Sequence, residues 1–214
     1  MTFSGFPVAA LDFYDDLEMD NTKAYWEKHR LVYDEAVKAP MVALGAELAP
    51  EFAPDGRSVK VFRPYRDVRF AKDKTPYKTG QGAYVAVAPS TGYYVEVSAR
   101  GVRVGGGFYE ASGARLGAVR DAMADDTTGR RLERIMRACA KDGFEIGGDR
   151  LKTAPRGYAA DHPRIELLRH KSLVAAKVYG FDEVIHSAAL ADRVRADWRA
   201  LRPLVEWVAA RVDG

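Results

Sequence analysis

The sequence predicts an α+β fold, a mainly antiparallel central sheet packed by N-terminal and C-terminal helices. Two observations predict it. Apolar residues recur at three- and four-residue spacing before about residue 52 and again after Glu110, as on amphipathic helices. Between Val59 and Phe108 the period falls to two, and the apolar runs are divided by short Pro, Ser and Gly turns. Turns that short suit an antiparallel meander, because parallel neighbours need long crossover connections.

The first helix is expected over residues 7–17, with Pro7 near its first turn and Leu11, Phe13, Tyr14 and Leu17 turned inward. Asp20 or Asn21 is expected to cap a second helix, whose Tyr25, Trp26, His29, Val32, Tyr33, Ala36 and Val37 form one aromatic face. Pro40 starts a third stretch that buries Val42, Leu44, Leu48 and Phe52 before Pro54, Asp55 and Gly56 turn the chain. A strand from Val59 is expected to end near Pro64, followed by strands over 83–88, 93–98 and 102–108. Leu116, Val119, Ala122 and Met123 mark the next helix, and Leu132, Ile135, Met136 and Cys139 another. A returning strand is expected over 171–179 and a long closing helix over 187–212, kinked or divided at Pro203.

With 214 residues, 47% of them hydrophobic, the chain is long enough for one large core, and residues 1–214 read as a single domain. No apolar run approaches the roughly 20 residues that span a bilayer. The first residues lack the basic-then-apolar order of a secretory signal. A cytoplasmic protein with no membrane partner is expected. Cys139, the one cysteine, sits among Ile135, Met136 and Ala138 and reads as a buried small hydrophobe.

Charge is concentrated in one place. Arg57, Lys60, Arg63, Arg66, Arg69, Lys72, Lys74 and Lys78 face only Asp67 and Asp73 in the same stretch, so eight cations less two carboxylates give +6 in a chain of net +3. Pro64 and Pro76 argue against one basic helical face and for an irregular strand-to-loop passage. Loops of this kind can converge guanidinium groups on one oxyanion, and Asp67 and Asp73 are placed to orient them. The alternative is that the same pairs brace the sheet to its helices through ion pairs.

The run Arg63-Pro64-Tyr65-Arg66-Asp67-Val68-Arg69-Phe70, followed by Asp73-Lys74-Thr75-Pro76-Tyr77, resembles the signature of a bacterial family known only as domain of unknown function 2461. Phe3-Ser4-Gly5-Phe6, Trp26 with His29, Gly92-Tyr93-Tyr94, Gly105-Gly106-Gly107 and the passage from Leu151-Lys152 to Asp161-His162-Pro163 extend the resemblance over almost the whole chain. Gly80 departs from it, standing where a histidine is expected after Tyr77-Lys78-Thr79. The resemblance implies membership and an α/β build, and it carries no catalytic assignment.

A second polar passage, residues 152–164, places Asp161 beside His162, the best candidate pair for proton transfer. The competing reading is a helix entry, with Asp161 as cap and Pro163 in the first turn. Gly105-Gly106-Gly107 lacks the spacing and following Lys-Ser/Thr of a P-loop and reads as a bulge or bend at a sheet edge. His29 reads as a packed histidine, and His170 and His186 have no neighbours at metal-ligand spacing, so neither a metal nor another cofactor is expected. There is no Gly-x-Ser-x-Gly elbow.

Three functions fit these residues. The first is a site for a small anionic ligand held by Arg63, Arg66, Asp67, Arg69, Lys72, Lys74, Tyr77 and Lys78, with Asp161 and His162 moving a proton in the same pocket. The second is a nucleic-acid-binding module whose cations form a long exposed strip. The third is an internal ion-pair network, buried, paired and remote from any cleft. The first is preferred, because carboxylates inside the motif would repel a phosphate backbone.

Overall fold

A computed structural model describes residues 2–53, 59–110 and 113–212. Arg57 and the expected turn at Pro54, Asp55 and Gly56 lie outside the described residues. The helices are α1 (Val8–Met19), α2 (Lys23–Val32), α3 (Ala39–Phe52), α4 (Gly113–Ala124), α5 (Asp126–Lys141), α6 (Ile165–Leu168) and α7 (Ala189–Val212). The strands are β1 (Lys60–Val61), β2 (Gly80–Ala88), β3 (Thr91–Ser98), β4 (Gly101–Phe108), β5 (Glu145–Gly147) and β6 (Leu173–Val178). They form one antiparallel sheet of order β1-β2-β3-β4-β6-β5, so the expected meander and α+β class are correct.

The chain forms two compact units that interleave in sequence. One comprises Met1–Val85, Tyr94–Val104 and Val178–Ala196, the other Ala86–Tyr93, Gly105–Lys177 and Asp197–Gly214. No single cut separates them.

In the first unit α1 buries Leu11, Phe13, Tyr14 and Leu17, the face its spacing predicts. Its neighbour α2 is capped by Thr22, whose hydroxyl accepts from the Tyr25 N–H at 3.2 Å, and neither Asp20 nor Asn21 takes that role. Asn21 is engaged elsewhere: its amide donates to the Tyr77 carbonyl and accepts from the Tyr77 N–H, both at 3.0 Å. The helix does not stop at Val32 but passes through a π-helical turn, Tyr33–Lys38, straight into α3. That turn buries Tyr33, Ala36 and Val37. In α3 Met41, Leu44, Leu48 and Phe52 are buried, whereas Val42 is exposed, because it lies outside the stripe they define.

β1 is shorter than expected. Lys60 and Val61 pair with Tyr84 and Ala83, Phe62 donates to Gly82 at 2.9 Å, and Pro64, with no N–H to give, ends the ladder. On β2 and β3 the alternation is plain. Gln81, Ala83 and Val85 are buried with Val95 and Val97, while Gly80, Gly82, Tyr94, Glu96 and Ser98 face the other way.

In the second unit α5 buries Leu132 and Cys139, and burial raises the thiol pKa, as expected of an inert core cysteine. β5, which the sequence reading omits, pairs through Ile146 with Ala175 of β6. The Gly105-Gly106-Gly107 run is not at a sheet edge: it lies in β4, between β3 and β6. A side chain at Gly107, where φ is +137°, would fall 2.2 Å from the Leu173 carbonyl, so the glycine serves close approach of two strands. Pro203 lies inside α7 without dividing it.

Candidate functional site

The central motif is a pinched loop. Arg66 donates its N–H to the Pro76 carbonyl and Lys78 to the Pro64 carbonyl, both at 2.8 Å, so Tyr65 and Tyr77 pair across the base and residues 67–75 form the excursion. Tyr77 anchors that base. Its ring is 5% exposed and stacks on Trp26 at 4.3 Å and 8°, and Asn21 holds its backbone.

Within the excursion the cations bind their own loop. Arg66 donates to the Asp73 carboxylate and the Thr75 hydroxyl, and Arg69 grips Asp67 through Nε at 3.0 Å and a terminal nitrogen at 2.7 Å. Lys74 donates to the Val68 carbonyl at 2.9 Å. These pairs are exposed and local, unlike the buried braces between sheet and helices that the ion-pair-network reading requires. Phe70, 96% exposed, and Lys72 project from the tip.

The Thr75 N–H, then Arg66 and the Thr75 hydroxyl, hold the Asp73 pKa down at about 2 from its ordinary 3.8. A depressed carboxylate contributes its stabilisation above the unfolded pKa and loses it as pH falls through the folded one. The loop's bonds should therefore persist on acidification to about pH 4 and fail toward pH 2. The Thr75 amide resonance is expected to titrate with a midpoint near 2; a midpoint near 3.8 would contradict this geometry.

Beside the loop lies an open cleft of about 750 Å³ on the sheet face that carries Gly80, Gly82, Tyr94, Glu96 and Ser98. Arg66, Asp67, Tyr77 and Lys78 line it with Phe62, Glu18 of α1 and Arg100 of the β3–β4 turn. Two glycines of β2 leave room for the side chains of Tyr94 and Glu96 to lie against the sheet. A Cβ at Gly82 would sit 2.5 Å from the Tyr94 hydroxyl, and one at Gly80 would meet the Glu96 carboxyl carbon at 3.0 Å. The Tyr94 hydroxyl donates to Glu96 at 2.5 Å.

Lys78 is half buried, its ammonium 5.3 Å from the centre of the Phe62 ring. Burial lowers its pKa and the positive charge of Arg63 lowers it further, Glu96 opposes both, and Lys60 adds a smaller depression. Among the described residues none of Lys60, Arg63 and Lys78 has an ion-pair partner. Arg63 itself lines a smaller hollow of about 300 Å³ with Trp26, Tyr33 and Asp34.

Of the residues expected at the site, Arg66, Asp67, Tyr77 and Lys78 meet in the cleft, and Arg63, Arg69, Lys72 and Lys74 do not line it. Asp161 and His162 do not line it either. They lie on a loop of the second unit, where His162 accepts the Arg164 N–H at 3.0 Å. Asp161 does not cap the helix that follows: α6 begins at Ile165, after Arg164, with no side-chain cap. Arg164, which the sequence reading passes over, anchors the loop by donating to the Met123 carbonyl at 2.8 Å and to Asp126 at 2.7 Å. Glu18, Phe62, Tyr94, Glu96 and Arg100 of the cleft were missed as well. Period-two alternation in 93–98 puts Tyr94 and Glu96 on the polar face, and that was the available signal.

Fold and cleft together define an α+β protein whose antiparallel sheet carries a mixed-charge hollow beside a charged loop. The chain belongs to the family described as conserved hypothetical protein (DUF2461), which it matches over residues 9–207. No curated protein matches it. Among the described residues, no helix is long and apolar enough to cross a membrane, and no group of three or more His, Cys, Asp or Glu is placed to hold a metal ion.

Proposed function

We propose that this protein binds a small ligand bearing a phosphate or carboxylate, with Lys78 as the principal charge contact and Arg66 and Arg100 at its sides. The observation that carries this reading is the half-buried Lys78 ammonium, set against Phe62 with Arg63 and Lys60 nearby and no carboxylate paired to it among the described residues. Crowded cations of this kind repel one another, and an oxyanion relieves the repulsion while accepting charge-assisted hydrogen bonds. The nucleic-acid reading fits less well. Glu18, Asp67 and Glu96 line the same cleft, and carboxylates there would oppose a continuous phosphate backbone.

The test is thermal stability of the full chain with inorganic phosphate, sulfate and citrate, for wild type and Lys78→Met. At least one anion is expected to raise the midpoint of the wild type, and the variant is expected to bind it at least about tenfold more weakly, the effect of losing one charged hydrogen bond. Equal responses in the two proteins would overturn the proposal, as would no response to any anion.

A further inference from the structure

The cleft that takes the anion is not itself cationic. Arg66, Lys78 and Arg100 are balanced by Glu18, Asp67 and Glu96, so a bare anion meets as many carboxylates as cations. A ligand that fits must also offer hydrogen-bond donors. Glu96 is the acceptor best placed to receive them, since it lines the cleft over Gly80 of β2 and the Tyr94 hydroxyl already fixes one of its oxygens at 2.5 Å.

Neutral hydroxyl donors match Glu96 better than a second ammonium does. Its negative charge already acts on Lys78, and the acceptor capacity left beside Tyr94 suits O–H groups. The rings of Phe62 and Tyr94, 6.2 Å apart and inclined by 41°, give the cleft apolar surface beside these polar groups. Because Gly80 and Gly82 carry no side chain, the Glu96 and Tyr94 side chains can lie down against β2, which sets their position in the cleft. A volume of about 750 Å³ is ample for a compound of one or two sugar rings.

We propose that the ligand is a polyhydroxylated anion of sugar size, its phosphate or carboxylate at Lys78 and its hydroxyls on the Tyr94–Glu96 pair. This rests on the anion-binding reading above and names the substrate class of that site. Glu96 reads hydroxyls and Lys78 reads charge, so the two contributions separate by mutation.

The experiment is calorimetric titration of the full chain with a panel of hexose and pentose phosphates and uronates, alongside glucose, inorganic phosphate and glutamate. Wild type, Lys78→Met, Glu96→Gln and Tyr94→Phe are compared after each variant's unliganded unfolding midpoint has been checked. At least one sugar phosphate or uronate is expected to bind about tenfold tighter than inorganic phosphate. Glu96→Gln and Tyr94→Phe should erase that advantage. Inorganic phosphate should bind Glu96→Gln no more weakly than wild type, because a repelling charge has been removed. Lys78→Met should weaken both kinds of ligand. A preference for phosphates over uronates, or the reverse, identifies which anionic group the site takes.

If inorganic phosphate binds as tightly as every polyol anion, or if Glu96→Gln leaves the advantage intact, the sugar assignment is overturned while anion binding stands. Tighter binding of glutamate than of any polyol anion overturns it in favour of an amino-acid ligand. Loss of all anion binding in the wild type overturns both readings.

Discussion

Truncating Trp26 to alanine is expected to lower the free energy of unfolding by about 3–5 kcal/mol, the usual cost of emptying a buried aromatic site. Trp26 is 4% exposed and its ring meets four others: Tyr77 at 4.3 Å, Tyr33 at 4.7 Å, Phe13 at 5.9 Å and Tyr65 at 6.0 Å. Removing it also takes away the stacking partner of the Tyr77 ring at the base of the charged loop, so the neighbouring Lys78 should be held less firmly. Urea denaturation followed by far-ultraviolet circular dichroism measures the first effect, and weaker anion binding under native conditions measures the second. Two comparisons sharpen it. The indole N–H of Trp26 is buried with no acceptor among the described residues, so Trp26→Phe sacrifices ring area and no hydrogen bond and should cost roughly 1–2 kcal/mol. Tyr65, 47% exposed, should lose less on truncation than Trp26 does. A Trp26→Ala protein as stable as the wild type would contradict this packing.

Replacing Gly101 by alanine is the second large effect, about 2–5 kcal/mol, from backbone strain and overpacking together. Gly101 opens β4 at φ +90°, and a Cβ there would lie 1.8 Å from the Gly180 carbonyl oxygen and 2.7 Å from its carbon. Both obstacles are backbone, so no side-chain rotation relieves them. The turn and the chain entering Gly180 would have to separate, which also disturbs the Tyr179 N–H bond to the Val102 carbonyl at 2.8 Å. Thermal unfolding gives the measurement. Gly117→Ala on α4 is the control with the opposite sign: nothing lies within 4 Å of its added methyl, and alanine favours the helix by about 1 kcal/mol. Equal midpoints for the two variants would refute the account of Gly101.

The helices and the meander could be read from periodicity because each buries one face, and burial writes itself into apolar spacing. The π-helical turn, Tyr33–Lys38, could not, since a single extra residue in a turn shifts the register without changing the kind of residue that is buried. β5 escaped notice for a different reason: a strand of three residues is too short to establish any period. Thr22 as cap was within reach, for it is the residue immediately before α2 and of a preferred type. What displaced the assignment was Asn21, whose task depends on Tyr77, far away in sequence.

Part of the cleft lining was legible in the sequence. Clustered charge pointed to residues 63–78, and four of the eight residues singled out do line the cleft. Charge alone could not distinguish Lys78, which turns onto the sheet, from Arg69, which turns back onto Asp67. That distinction depends on where the loop is pinched, and the pinch is set by Tyr65 and Tyr77 facing one another. Asp161 and His162 were singled out for the versatility of their residue types, and the fold places them on a loop that does not line the cleft. Arg164, two positions on, is buried, and its bonds to Met123 and Asp126 anchor the loop.

The strand order has a consequence for how the chain matures. β4 ends at Phe108 and its outer neighbour β6 begins at Leu173, with residues 109–172 intervening. During synthesis the β2–β3–β4 hairpins can close as soon as they emerge, whereas the flank of β4 must wait for a segment made much later. Until then its peptide groups lack their final neighbour, and a ribosome-bound or prematurely terminated polypeptide ending before that point presents an uncovered ladder to whatever extended strand it meets.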